Sequence, residues 1–282
     1  MTLLHTPAST GHSPRPQRSD AHGLAASIRL PTVFGLILML VAGMLAASET
    51  NAAGPAADPS TRSEHYRVTT LQAAPGKLRE LLALFARESA ENRWAARGEA
   101  EPMLMRHSQG DHWDLLVLQP VGRLDSYFAE PARSQRAAAG GAEFEAARDA
   151  LVVFREDLFA LGPARALVEA AYRNNGFFHI EMFHAHAGKH AELLHQRRIE
   201  NDYLTAVGIP ANLIWVGEFG SDVDVFTIGF YPSIVEYAAP IKVSADAAEA
   251  AAKAAGFEGR AYIGTYLREL LARHHDTLAV KP

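Results

Sequence analysis

Two residues of this 282-residue chain have the types and spacing of an acid-base pair. They are His179 and Glu181, two apart in Phe178-His179-Ile180-Glu181-Met182-Phe183. Side chains alternate along an extended strand, so both emerge on one face. An imidazole beside a carboxylate in a partly dry cavity has the parts of a general base and its orienting partner. In Tyr66-Arg67-Val68-Thr69-Thr70-Leu71, Arg67 and Thr69 hold the corresponding places 112 residues earlier. The apolar set Phe178, Ile180 and Met182 is expected beneath helices, leaving His179 and Glu181 in an interior next to Arg67 or Thr69. The competing reading is a buried hydrogen-bonded cluster without turnover.

Four further residues are candidate ligand contacts. Trp215, with Trp113, Phe230 and Tyr231 nearby, suits a flat ligand or simply a core. Arg197 and Asn201 interrupt the apolar face formed by Leu193, Leu194 and Leu204, and mark either a polar cavity wall or a helix edge. His275 stands in Arg273-His274-His275-Asp276 near the C-terminus: if the helix persists, His274 continues its stripe while His275 and Asp276 begin the closing strand, and the histidines are either a ligand near the cavity mouth or a cap at the negative end of the helix dipole. The densest histidine cluster, His184 to His190, continues to Glu192-x-x-His195. That i, i+3 spacing occurs in carboxylate-bridged iron sites, but no second such pair accompanies it, so surface histidines and no metal are expected. No phosphate-binding or dinucleotide glycine loop, no Gly-x-Ser-x-Gly and no His-Glu-x-x-His occurs. With no cysteine, thiol nucleophiles and thiolate-held metals are excluded, and no motif names a cofactor.

The elements that must position these residues repeat. Pro75-Gly76-Lys77 with Leu81-Leu82 answers Ala187-Gly188-Lys189 with Leu193-Leu194, and Asp114 to Leu118 answers Asp224 to Ile228. A period this long suits a duplicated domain. In each copy a strand (65–71, 177–183) leads to an amphipathic helix carrying Leu78, Leu81, Leu82 and Phe85 in the first copy. Two strands follow, near 102–107 and 114–119, or 211–216 and 223–231, joined by turn chemistry such as Gln109-Gly110-Asp111. A second helix is read from Phe144, Ala147, Leu151, Phe154 and Leu158, and in the other copy from Tyr262, Tyr266, Leu270 and Leu271. Short closing strands, 157–160 and 276–279, complete a β-α-β-β-α-β order, a ferredoxin-like unit. The expected fold is therefore α+β: two ferredoxin-like units, 64–162 and 177–282, joined by a linker helix in 163–176 and packed as a pseudo-twofold barrel, since one unit alone leaves a sheet face uncovered.

Through the Pro75-Gly76-Lys77 and Ala187-Gly188-Lys189 turns and the apolar hairpin behind each, residues 64–282 resemble the dimeric α/β-barrel superfamily. Local motifs are most similar to its NIPSNAP and antibiotic-biosynthesis-monooxygenase branches, here as a tandem version. The resemblance implies sheets facing a shared interior that holds a small ligand. In haem-handling branches it implies a barrel histidine that meets iron.

The N-terminal 52 residues are a different material. Scattered Arg15, Arg18 and Arg29 precede an apolar, uncharged stretch, 33–47, and small residues lead up to Ala52, the order of a secretory signal. Cleavage after Ala52 is expected, with an uncleaved anchor as the alternative, then a flexible linker over 53–63 and a periplasmic or secreted mature chain without a membrane span. With 27 Lys and Arg against 32 Asp and Glu, a net charge of −5 and no long basic run, nucleic acid is not an expected partner. A small-molecule ligand is, and so is self-association. Two functions stand: an oxygenase-like oxidoreductase for a flat aromatic or quinone-like compound, with His179 and Glu181 as its pair, and a noncatalytic binding or stress-associated module.

Overall fold

A computed structural model describes residues 61–282. The expected signal segment lies outside them, and no helix among the described residues is long and apolar enough to cross a membrane. The fold is α+β and built on one closed barrel of eight strands: β1 (Glu64–Ala73), β2 (Met103–Gln109), β3 (Leu115–Gly122), β4 (Val152–Gly162), β5 (Phe177–Ala185), β6 (Leu213–Phe219), β7 (Val225–Tyr231) and β8 (Leu271–Val280). Around the barrel they run β1-β3-β2-β8-β5-β7-β6-β4, every adjacent pair antiparallel. The first four strands thus lie as β4-β1-β3-β2 and the last four as β8-β5-β7-β6, with β2–β8 and β4–β6 pairing closing the ring.

Helices cover the outside. Before β4 come α1 (Leu78–Ala90), α2 (Arg93–Ala96), α3 (Leu124–Tyr127), α4 (Glu130–Ala138) and α5 (Gly141–Asp149). After it come α6 (Arg165–Asn174), α7 (His190–Ala206), α8 (Ile234–Tyr237), α9 (Ala245–Ala255) and α10 (Tyr262–Leu270). Helix α6 closes one mouth: Val168 joins the interior core, Tyr172 stacks on Phe178, and Tyr66 Oη donates to the Pro163 carbonyl at 2.8 Å. Trp113 and Val223, from the two hairpin loops, fill the other.

All eight strands contribute to the packed interior, among them Tyr66, Met105, Leu116, Leu158, Phe178, Phe226 and Ala279. Eight strands enclose a space just wide enough for side chains to fill, and these fill it. This reverses the expected orientation of β5. Phe178, Ile180 and Met182 point inward, while Phe183 packs outward on α7 and α10 and Glu181 outward against α7. Both faces of β5 are largely buried, so alternation divides the two sets without saying which is inside. The narrow interior has no room for solvated charge and takes the apolar set, whereas groups on the helix-covered face reach the periphery.

Two helix boundaries also differ from expectation. The spacing through Phe154 and Leu158 suggests helix, yet α5 ends at Asp149 and β4 starts at Val152, where β-branched Val152-Val153 favours strand and Leu158, Ala160 and Gly162 are the buried alternate residues. Likewise α10 stops at Leu270 and β8 begins at once, so His274 lies on a strand rather than extending a helical stripe.

Candidate functional site

Among the described residues, a half-open cavity of about 270 Å³ lies between the outer face of β1 and β3 and helices α2, α4 and α5. Alternation along β1 brings Arg67, Thr69 and Leu71 into its floor, and Val117 and Gln119 come from β3. Phe85, Trp94 and Phe144 wall it, with Trp94 and Phe144 edge to face at 5.1 Å. Arg97, Arg136 and Arg148 add three more guanidinium groups to that of Arg67, against the carboxylates of Glu99 and Glu145. Aromatic rings and guanidinium groups thus share the lining of one cavity.

The four arginines are not equivalent. Arg67 donates to Asp157 at 2.9 Å, and Arg148 is held by Glu145 and Asp149. Arg97 is 2% exposed; it pairs with Glu88 at 2.7 Å and Glu99 at 3.0 Å and lies over the Trp94 ring at 4.5 Å. Its Nη2 is nevertheless buried without a hydrogen-bond partner, a costly state for a charged donor. Arg136 stacks on Tyr127 at 4.2 Å and donates to the Tyr127 carbonyl, and among the described residues no carboxylate pairs with it.

Two carboxylates, Glu145 in the cavity lining and Asp157 bonded to Arg67, are engaged by arginines. Burial pushes the Asp157 carboxyl up, but Arg67, the Thr69 hydroxyl and Arg155 outweigh it and hold the group below its ordinary range. Glu145 shows the same balance, with burial overcome by Arg148, Arg67 and Arg155. Both stay ionised at neutral pH.

The expected acid-base pair sits elsewhere, outside the β5 side of the barrel. Glu181 does not neighbour Arg67 or Thr69 across the interior, because it faces outward. Its Oε2 accepts from Arg197 Nη1 and from Thr227, both at 3.3 Å, and Oε1 lies 3.4 Å from His274 Nε2. Burial alone would raise its pKa; His274, Arg197 and His179 instead hold it down at about 2. His179 Nε2 meets Asp276 Oδ1 at 2.7 Å. Burial lowers this imidazole's pKa, and the Asp276 hydrogen bond with the Glu181 charge more than reverses that. Glu181 is therefore too acidic to be a general base, and Asp276, not Glu181, is the hydrogen-bond partner of His179.

The other predicted contacts are dispersed. Arg197 bridges Glu181 and Glu200 and lies over Phe183 at 4.8 Å, occupying space under α7. Asn201 clasps a loop, exchanging two 2.8 Å hydrogen bonds with the Asn212 backbone. Trp215 is fully buried in the barrel, stacked on Phe226 at 5.0 Å, and Gly162 leaves room for its ring. His275 lines a depression of about 410 Å³ at the barrel mouth opposite α6, with His112 and His184, and faces Asp111 at 3.2 Å.

No family model matches the chain, and no curated protein matches it. Among solved structures, an anthrone oxidase-like protein overlays with 11% identity and a TM-score of 0.48, covering 79% of this chain and 93% of that one. A mutant chlorite dismutase from Candidatus Nitrospira defluvii overlays with 11% identity and a TM-score of 0.45, covering 79% and 92%. At such identity the chemistry of the cavity has to be read from this chain's own side chains.

Sequence reasoning reached Arg67 and Thr69 but missed Arg97, Arg136, Arg148, Trp94 and Phe144. Only Phe144 carried a periodic signal. The others come from short helices or turns, whose placement over β1 depends on tertiary packing.

Proposed function

We propose that the chain is a small-molecule-binding α/β barrel whose ligand, a flat aromatic anion of the phenolate or aryl-carboxylate class, sits between the first-half helices and the sheet. The observation that carries this reading is an aromatic-walled cavity lined by four arginines, of which Arg136 has no carboxylate partner among the described residues and Arg97 keeps Nη2 buried without a hydrogen-bond partner. The reading includes tandem ferredoxin-like halves, supported by the equivalent strand orders β4-β1-β3-β2 and β8-β5-β7-β6, and membership of the dimeric α/β-barrel superfamily. Export is proposed from the order of residue types in 1–52.

Oxygenase-like turnover of an electron-rich phenolate is the activity such a cavity would serve, because guanidinium groups favour the ionised ring that O2 can oxidise. A noncatalytic role has its own support: arginines engage Asp157 and Glu145 and hold both below the ordinary carboxylate range, away from the tuning a general base needs. Fluorescence titration with 1-hydroxy-2-naphthoate tests the binding claim. Saturable binding that a neutral naphthalene of the same size does not reproduce is expected; equal binding of the two would refute it. An oxygen electrode then separates the roles, with O2 uptake on adding an anthrone or quinol marking the oxygenase and none marking the binding module.

A further inference from the structure

The two halves place different chemistry at matching positions. In the first, Thr69 pairs in register with Asp157, and Arg67 is two residues along β1 on the same face. In the second, Glu181 pairs in register with Asp276, and His179 is two residues along β5. The first half supplies its own cation there: the Arg67 guanidinium binds Asp157 at 2.9 Å, and Thr69 Oγ1 donates to the same oxygen at 2.6 Å. In the second, the guanidinium is replaced by an imidazole and the hydroxyl by a second carboxylate. On the strands a permanent cation is lost and an anion gained, and Arg197 from α7 pairs with only one oxygen of Glu181.

Those three side chains converge. One ligating atom from each of His179, Glu181 and Asp276 lies within 4.8 Å of the other two, on adjacent hydrogen-bonded strands that hold them rigidly. A separate feature points into the same place. His274 Nε2, on a side chain only 7% exposed, faces Glu181 Oε1 at 3.4 Å but is too poorly aligned for a full hydrogen bond. Its Nδ1 meets Arg268, an exposed side chain that a rotamer change frees, allowing the proton to move to Nδ1 and Nε2 to ligate. Arg197, shared between Glu181 and Glu200, neutralises part of the charge and fixes the far oxygen of Glu181.

We propose that His179, Glu181 and Asp276, joined by His274, bind a divalent first-row transition-metal ion on the outer face of the second-half sheet. Mixed imidazole and carboxylate donors suit Mn(II), Fe(II), Co(II) or Zn(II) rather than Mg(II) or Ca(II), which prefer all-oxygen sets. The site does not depend on the first-half cavity and stands or falls separately.

The test is Co(II) titration of the full-length, chelator-treated protein near neutral pH, read by visible d–d absorption, in wild type and four variants. Because the chain has 13 histidines, the difference between variants is the measurement. H179Q and D276N should each weaken the d–d signal's apparent affinity about tenfold or more. H179R, which copies Arg67 and restores a built-in cation, should abolish the signal while melting no lower than wild type. H195Q, at an exposed helix position away from the cluster, should leave it unchanged. Wild-type-like Co(II) binding by H179R and D276N, or no d–d signal from wild type, would overturn the proposal. The melt of H179R keeps loss of metal separate from loss of fold.

Discussion

Replacing Arg97 with Met removes one cation from between two buried carboxylates. The Glu88 and Glu99 side chains are 7% and 9% exposed, so neither recovers much hydration when its partner leaves. Removing one member of a buried ion pair costs about 3–5 kcal/mol, and Met replaces only the aliphatic stem packed on Trp94. For a folded region of this size each kcal/mol shifts Tm by roughly 2–4 °C, so R97M should melt about 6–20 °C below wild type. Neutralising the stranded partners removes most of that penalty, and R97M/E88Q/E99Q should regain the greater part of the loss. Neither variant should bind 1-hydroxy-2-naphthoate tightly, because both lack the Nη2 donor. Thermal melts by circular dichroism, paired with the naphthoate titration, check both halves of the argument. An R97M protein melting within about 2 °C of wild type would show that Arg97 is not a buried counter-ion, since a surface pair is worth only about 0–1 kcal/mol. Tight naphthoate binding by the triple variant would refute the role given to Nη2.

R136A should cost under about 1 kcal/mol, as no carboxylate is stranded, yet weaken naphthoate binding several-fold; melts and titrations on one sample separate the two. I180A should destabilise by about 2–5 kcal/mol in denaturant titrations, because Ile180 lies in the filled interior; a change below about 0.5 kcal/mol would contradict the inward orientation of that set. Asp157 has its pKa depressed in the fold, so its stabilisation is present above the unfolded carboxylate value and lost as pH falls through the folded one. Stability should therefore fall below about pH 4, and D157N should flatten that acid limb; an unchanged limb would remove Asp157 from the account.

Much of the scaffold was legible because strands carry local signals. The first strand of each half, the two hairpins and the turns at Pro75-Gly76-Lys77 and Ala187-Gly188-Lys189 rest on apolar runs and turn residues a few positions apart. Inside and outside were not legible on β5. Phe178, Ile180 and Met182 form a set distinct from His179, Glu181 and Phe183, but the diameter of the closed barrel, a property of all eight strands, decides which set it can enclose. The helix-to-strand junctions at 150–152 and 270–271 were hidden because Leu151, Phe154 and Leu158, and Leu267, Leu270 and Leu271, satisfy helical spacing as far as each junction and beyond. The second error moved His274 off a helix and onto β8, next to Glu181. The cavity was least legible. Arg97 follows α2 and Arg136 ends α4, and nothing in a local window places either over β1.

The most direct test of the central claim is a crystal structure of the protein grown with 1-hydroxy-2-naphthoate. The account predicts the ring between Trp94 and Phe144, with its carboxylate against Arg97 Nη2 and Arg136. A naphthoate bound instead at the barrel mouth beside His275, or a first-half cavity closed over by its own side chains, would contradict it.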